Sequence, residues 1–286
     1  MLSYVHAFHA GNHADVLKHT VLTGILAKLV SKAKPLRYVE THAGAGGYDL
    51  RSSAAQKNRE YETGIARVLA ARDAPVAVGR LVRLVHAYNR NATLRYYPGS
   101  PQLASAILRP DDDLYLFELH GAEHAALTRR LKGDHRVTVL REDGLQGCIG
   151  LVPPPTRRGL LFVDPSYEVE NEHERVAAAL ANAHRRFATG VQAVWYPVIE
   201  RRWVERFERT LRARLPARMA LYELSVQPDA RGCGLTGSGM IVVNPPWTLD
   251  DEMREALPWL ARALGARDGS YRLIAAEETQ RSTGAT

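Results

Sequence analysis

The run Leu36-Arg37-Tyr38-Val39-Glu40-Thr41-His42-Ala43-Gly44-Ala45-Gly46-Gly47 is the part of the sequence from which the fold can be read. Its first six residues follow a proline, Pro35, and have the length and apolar character of a short buried strand. The chain passes from that strand straight into a glycine turn. Open α/β sheets take their ligands at such strand ends.

Outward from this run, short apolar stretches recur at 114–118, 136–140, 160–164, 191–196, 219–226 and 239–244, and helical patterns at 121–132, 172–187, 200–214 and 250–264 lie between most of them. Strands that alternate with helices predict an α/β fold: seven strands, mostly parallel, with helices on both faces. The last two strands are separated only by a loop carrying Gly232, Gly234 and Gly237, which predicts an antiparallel hairpin. Upstream, Asn12 is placed to cap a helix that carries Leu17, Val21, Ile25 and Leu29 on one stripe, with Asp15 near its positive start and its end near Lys32.

One spacing is too long for a single crossover helix. The stretch 48–97 reads as a small inserted helical subdomain, with helices over 57–71 and 76–88, between the two parts of a main domain at 1–47 and 98–265. Residues 266–286 carry no motif and read as a tail free to move. Between positions 51 and 95 of the insertion Arg51, Lys57, Arg59, Arg67, Arg72, Arg80, Arg83, Arg90 and Arg95 face only Glu60, Glu62 and Asp73. That imbalance suits a nucleic-acid grip, or simply a solvated helical face.

The composition narrows the class. A chain of 286 residues, 45% hydrophobic and 24% charged, builds an ordinary core and is neither disordered nor coiled-coil in type. No run approaches the ~20 apolar residues that span a bilayer, and histidines stand where an export signal needs an apolar core, so a cytoplasmic protein with no membrane partner is expected. Cys148 and Cys233 form neither a disulfide framework nor a zinc cluster. The net charge of +7 and pI of about 9.5 suit a polyanionic partner without requiring one.

Gly44-Ala45-Gly46 lets the backbone approach a nucleotide-like ligand closely. A dinucleotide fingerprint fails because Asp49 stands where a small residue is needed, and no phosphate-loop lysine follows. Polar residues recur instead at or just past successive strand ends: His42, Glu118, Asp143 and Asp164. In a doubly wound sheet these share one rim, where carboxylates can accept hydrogen bonds from ribose hydroxyls and from an exocyclic amine, as an adenosyl group requires. The fourth strand leads into Asp164-Pro165-Ser166-Tyr167. Its side chain and a proline-fixed carbonyl can take the two hydrogens of a planar amine while the ring stacks on the base, leaving the nitrogen lone pair open to a methyl donor.

The segment from Tyr4 through His6, Phe8-His9-Ala10-Gly11-Asn12 and Ala14-Asp15-Val16-Leu17-Lys18-His19, together with Thr41–Gly46, Arg95–Pro101 and the Asp164–Tyr167 turn, resembles the bacterial 23S rRNA adenine-N6 methyltransferase family over roughly residues 2–260. That likeness implies a class I Rossmann-like methyltransferase with a helical insertion, which uses S-adenosyl-L-methionine on an adenine of 23S rRNA. Carried over position by position, it implies cofactor contacts from His19, His42, Ser100, Glu118, Asp143, Gly144 and Asp164, with Asp164 also the catalytic acceptor. Tyr4 and Lys18 are implied to lie near the target nucleotide. His42, Glu118, Asp143 and Asp164 are reached from the strand ends as well; Tyr4, His19 and Ser100 rest on the likeness alone. A flipped base must leave its stack, so the expected substrate is a loop or bulge adenine in naked RNA or an assembly intermediate, with Arg157, Arg158, Arg185 and Arg186 adding phosphate contacts. Adenine in DNA is the nearest rival substrate. A non-catalytic RNA-binding assembly factor is a rival of another class, and a monomer is favoured.

Three features need separate weighing. Ser166 stands where amine methyltransferases usually carry a second proline; the freed dihedral predicts a slower or more tolerant enzyme. Asn244-Pro245-Pro246-Trp247 fits that turn better in letters, but it follows the second strand of the predicted hairpin and so ends on the wrong rim; it reads as a structural turn with Trp247 in the core. A zinc site at His6, His9, His13 and His19 is disfavoured, because Gly11 and Asn12 interrupt the helical spacing that His9 and His13 would need. No metal is expected.

Overall fold

The computed structural model describes residues 5–90, 93–228, 234–265 and 267–276. A 3-10 turn at His6–Phe8 leads to α1 (His13–Val30), whose cap is Asn12, with its side-chain oxygen accepting from Asp15 N at 3.0 Å. Then follow β1 (Arg37–Glu40), β2 (Gly47–Asp49), the helices α2 (Ser53–Asn58), α3 (Glu60–Thr63), α4 (Ile65–Ala70) and α5 (Val76–Tyr88), and β3 (Tyr96–Pro98). The chain continues through α6 (Ser100–Ile107), β4 (Asp113–Phe117), α7 (Gly121–Arg130), β5 (Val137–Leu140), α8 (Gly144–Gly147) and β6 (Gly159–Val163). It ends with α9 (Glu172–Arg186), β7 (Val191–Val198), α10 (Arg201–Arg214), β8 (Met219–Ser225), β9 (Gly237–Val243), α11 (Leu249–Gly265) and β10 (Ser270–Ile274).

The main sheet runs in the order β10-β8-β9-β7-β6-β1-β4-β5. Strands β5, β4, β1, β6 and β7 are parallel, while β9 is antiparallel to both β7 and β8. The chain leaves β1 toward β4 on one side and returns to β6 on the other, and this reversal of strand order opens a crevice at the carboxyl edge. All seven expected strands are present, and an eighth joins them. Residues 270–274, within the stretch expected to move freely, pair antiparallel with β8, and Arg272 ties β10 to Glu208 and Glu223. Residues 277–286 lie outside the described part.

Helix α1 is enclosed on nearly every side, so its apolar positions Leu17, Val21, Leu22, Ile25 and Leu26 lie in the core that covers one sheet face. Thr20 and Thr23 donate their hydroxyls back to the Val16 and Thr20 carbonyls, so neither is buried without a partner. The inserted stretch shares that core: Ile65, Val68, Val78, Leu81 and Val85 pack with α1. The helix expected over 57–71 is broken in two places, at Arg59 (φ 53°) and at Gly64, where a Cβ would lie 2.1 Å from the Gly11 carbonyl oxygen. On the other sheet face α9 and α10 cover Leu161, Val163, Val194 and Tyr196.

Two expectations are corrected by the topology. Asn244 does end on the far rim, donating to the Ala188 and Gly190 carbonyls before β7, but Trp247 is 72% exposed beneath the Lys28 ammonium instead of in the core. Arg157 and Arg158 precede β6 and Arg185 and Arg186 end α9, so all four also sit on that far rim. Arg158 there donates to the Leu29 and Lys34 carbonyls and Arg186 to the Val152 carbonyl, which gives these two side chains structural work.

Candidate active site

The crevice, about 1000 Å³ in volume, is lined by His19, His42, Gly44, Ser100, Glu118, Asp143, Gly144, Asp164, Pro165, Tyr167 and Lys18. Tyr4 lies outside the described residues. Glu118 and Asp164, 46 positions apart along the chain, thus meet on one rim because β4 and β6 flank β1 in parallel.

The end nearest β4 and β5 is a set of hydrogen-bond acceptors on bare backbone. Glu118 accepts from Gly44 N at 2.8 Å and from His120 N at 2.7 Å; burial raises its carboxyl above the ordinary range against the pull of those two donors. A carboxylate has about four acceptor positions, so two remain for a ligand. Asp143 caps α8 by accepting from Leu145 N at 3.0 Å, and it also pairs with Arg175. A Cβ on Gly144 would lie 2.2 Å from the Thr41 carbonyl oxygen, so no side chain fits there. Gly44 takes φ +59°, which few residues with a side chain adopt. The pairing of β2 with β3 brings Gly99 N to within 3.0 Å of the Gly46 carbonyl and sets Ser100 beside the glycine turn.

Polar groups beneath this floor have their charge states set by enclosure. Burial pushes the His42 imidazole down to about 4, against the attraction of Asp164 and Asp143, and pushes His19 down to about 3, so both are neutral at pH 7. His19 Nδ1 meets the Tyr97 hydroxyl at 2.8 Å. Glu40, fully buried at the end of β1, takes bonds from the Tyr38 hydroxyl at 2.9 Å and from Ser100 Oγ, yet burial outweighs both donors and pushes its carboxyl up to about 8.

The end nearest β6 and β7 is organised by α1. Lys18 Nζ lies 2.6 Å from Asp164 Oδ2 and 2.9 Å from Asp15 Oδ1, bridging two carboxylates from its enclosed position. Burial favours the neutral form of Asp15, but the neighbouring His6 and Lys18 outweigh it and hold this carboxyl well below the usual range. Asp15 Oδ2 also accepts from Gly11 N at 2.8 Å and meets His6 Nε2 at 2.9 Å, fastening the N-terminal segment over the crevice. Tyr167 adopts φ +56° and donates its hydroxyl to the Trp195 carbonyl at 2.7 Å, with its ring edge-on to Trp203 and Phe207. It is therefore a fixed wall beside Asp164, and the extra freedom expected from Ser166 is restrained from the far end of the turn.

The histidines of the N-terminal segment diverge: His6 meets Asp15, His9 meets Glu60 at 2.8 Å and His19 meets Tyr97, while burial pushes His13 down to about 4. The sequence reading missed Glu40, Trp195 and Glu60. An acid inside an apolar strand was the available signal for Glu40. Trp195 lines the crevice with Lys18 Nζ 5.7 Å from its ring centre, and its Nε1 is buried without a partner among the described residues. Glu60 holds both His9 and Asn12, a contact across 48 or more positions that no local pattern announces.

Residues 33–275 match the family model described as ribosomal RNA large subunit methyltransferase D, RlmJ. The chain is 45% identical over 260 residues to the ribosomal RNA large subunit methyltransferase J of Escherichia coli (strain K12), covering 91% of this chain and 93% of that protein. It is 43% identical to the protein of the same name from Haemophilus influenzae, covering 92% and 94%. Among solved structures, a Legionella pneumophila protein superposes with a TM-score of 0.88 at 39% identity, over 94% of this chain and 99% of that one. A probable spermidine synthase from Corynebacterium glutamicum, 13% identical with a TM-score of 0.51 over 94% of this chain and 77% of that one, shares the fold alone. With a family model spanning most of the chain and relatives above 40% identity along nearly all of it, the chain belongs to the RlmJ family of ribosomal RNA large subunit methyltransferases.

Proposed function

We propose that the protein transfers a methyl group from S-adenosylmethionine to the exocyclic N6 amine of an adenine in 23S rRNA. The observation that carries this reading is the Asp164-Pro165-Ser166-Tyr167 turn standing on the same crevice as Glu118 and Asp143, inside a chain of the RlmJ family.

The residues present fit the cofactor. Glu118 retains acceptor capacity for ribose hydroxyls, Asp143 and neutral His42 offer further polar contacts, and the bare backbone at Gly44 and Gly144 lets a ligand lie close. When bound, S-adenosylmethionine supplies an electrophilic methyl group on its sulfonium. The rest of the chemistry belongs to the chain. Lys18 occupies Asp164 Oδ2 and thereby fixes the carboxylate, leaving Oδ1 to accept one amine hydrogen while the Pro165 carbonyl accepts the other. Both contacts aim the nitrogen lone pair away from the turn, and the gain is chiefly one of orientation. Once methylated, the cationic amine is far more acidic than the neutral one, and Asp164 can take its proton.

The test is to incubate the protein with methyl-labelled cofactor and either deproteinised 23S rRNA or duplex DNA. Label recovered as N6-methyladenine in rRNA alone is expected. Label in DNA alone supports the DNA rival, and cofactor binding without label in either substrate supports the non-catalytic RNA-binding alternative. Mass spectrometry of rRNA digests from cells with and without the gene would then locate the nucleotide.

A further inference from the structure

Helix α10 follows β7 and therefore starts at the carboxyl edge of the sheet, on the Asp164 side of the crevice. Its first turn is joined to the catalytic turn: the Trp203 ring stands edge-on to Tyr167 at 5.2 Å. Val204, Phe207 and Leu211 bury the inner face, which leaves Arg202, Arg206, Arg209 and Arg212 exposed, at intervals of four, three and three residues. Such spacing keeps side chains on neighbouring parts of one helix surface. At 1.5 Å per residue the four span about 15 Å, from the crevice mouth toward the far rim.

These guanidinium groups have no protein partner among the described residues. The helix ends differ, since Arg201 is bound to Glu223 and Arg214 to Glu174. Of the acids on α10, Glu208 is committed to Arg272, which leaves Glu205 as the acid exposed among the arginines. In the insertion Arg59 is paired with Glu62, Arg80 with Glu252 and Arg95 with Asp49, while Arg51, Arg72, Arg83 and Arg90 are exposed with no ion pair among the described residues, so what sets the α10 arginines apart is their continuity with the catalytic turn rather than their number. Charge without an internal partner, continuous with the catalytic turn, is what a phosphate backbone recognises.

We propose that the arginine ladder Arg202-Arg206-Arg209-Arg212 on α10 is the track along which the RNA strand carrying the target nucleotide lies, each side chain meeting backbone phosphate. This rests on the RNA-methylating function proposed above and makes α10, instead of the insertion, the main electrostatic grip. The sequence is then read only at the crevice, because phosphate contacts position the strand without distinguishing bases.

The test compares the full-length protein with two triple variants, Arg202→Gln/Arg206→Gln/Arg209→Gln on α10 and Arg72→Gln/Arg83→Gln/Arg90→Gln on the insertion, for binding to deproteinised 23S rRNA across a salt series. Loss of three contacts should reduce the slope of log affinity against log salt by about 2 and weaken binding roughly tenfold at low salt in the α10 variant. The insertion variant should keep the slope of the unaltered protein. Cofactor affinity, read by calorimetry, should be the same in all three proteins, which separates lost RNA contacts from lost folding. An unchanged slope in the α10 variant, or an equal loss in both, overturns the ladder while leaving the methylation reading intact. An unaltered protein that neither binds nor methylates rRNA overturns that reading, and the ladder falls with it.

Discussion

Lys18 Nζ lies 2.6 Å from Asp164 Oδ2, joining the second turn of α1 to the loop after β6 across 146 positions of chain. The same ammonium touches Asp15 at 2.9 Å, so the two halves of this bridge are not equivalent.

Replacing Asp164 leaves Lys18 still paired with Asp15, whereas replacing Lys18 takes the ammonium from two carboxylates at once and leaves Asp15 only its contacts to Gly11 N and His6. Asp164→Ala should therefore abolish methyl transfer at a stability cost of about 1 kcal/mol, a typical single-site effect. Lys18→Ala should cost about 3 kcal/mol or more, as breaking an enclosed pair does. Denaturant unfolding alongside a methyl-transfer assay checks both; equal stability losses would refute the asymmetry.

Glu40 predicts a pH effect on stability. Its carboxyl titrates near 8 when folded and near the ordinary 4.5 when unfolded. The folded state thus holds a proton that the unfolded state has released, and stability falls as pH rises between those values. Glu40→Gln removes that loss. Each pH unit between the two titration points contributes about 1.4 kcal/mol. Melting curves should therefore show the variant more stable than the natural chain by a few kcal/mol at pH 8, with the gap closing near pH 4.

Trp195 separates ring from donor. Its Nε1 is buried with no partner among the described residues, so Trp195→Phe discards a group that gains nothing in the free protein and should be neutral or stabilising. Trp195→Ala removes the wall beneath Lys18 and should cost about 3 kcal/mol. If thermal unfolding placed the two variants together, the indole would have an unseen role.

At Ser166 the turn is pinned by the Tyr167 hydroxyl bond and by the packing of its ring. Ser166→Pro should change the turnover number by less than about threefold, since the restraint a second proline supplies is already in place. Tyr167→Phe, which loses the bond to the Trp195 carbonyl, should lower it further than Ser166→Pro does. Steady-state kinetics on one RNA substrate decides the order.

The strands were legible because parallel strands buried on both faces leave uninterrupted apolar runs, as at Leu160-Leu161-Phe162-Val163. The rim acids followed from topology: residues after successive parallel strands must face one edge. Strand β10 was not legible, because a half-exposed edge strand of five residues has no distinguishing pattern until β8 pairs with it. Trp247 was misplaced because an aromatic residue in a proline turn carries no signal of which side faces water.

The linear order of residues alone determined the alternation of strand and helix, the glycine turn, and which acids end the strands, since these depend on neighbours a few positions apart. Tertiary structure decided everything that joins distant segments: that Lys18 clamps Asp164, that Glu60 holds His9 and Asn12, that Glu40 keeps its proton, and that Arg80 and Arg95 of the insertion are paired while four arginines of α10 have no partner among the described residues. The reason is physical. Charge state and hydrogen bonding depend on which groups meet and how much water remains between them, and only the packed chain fixes either one.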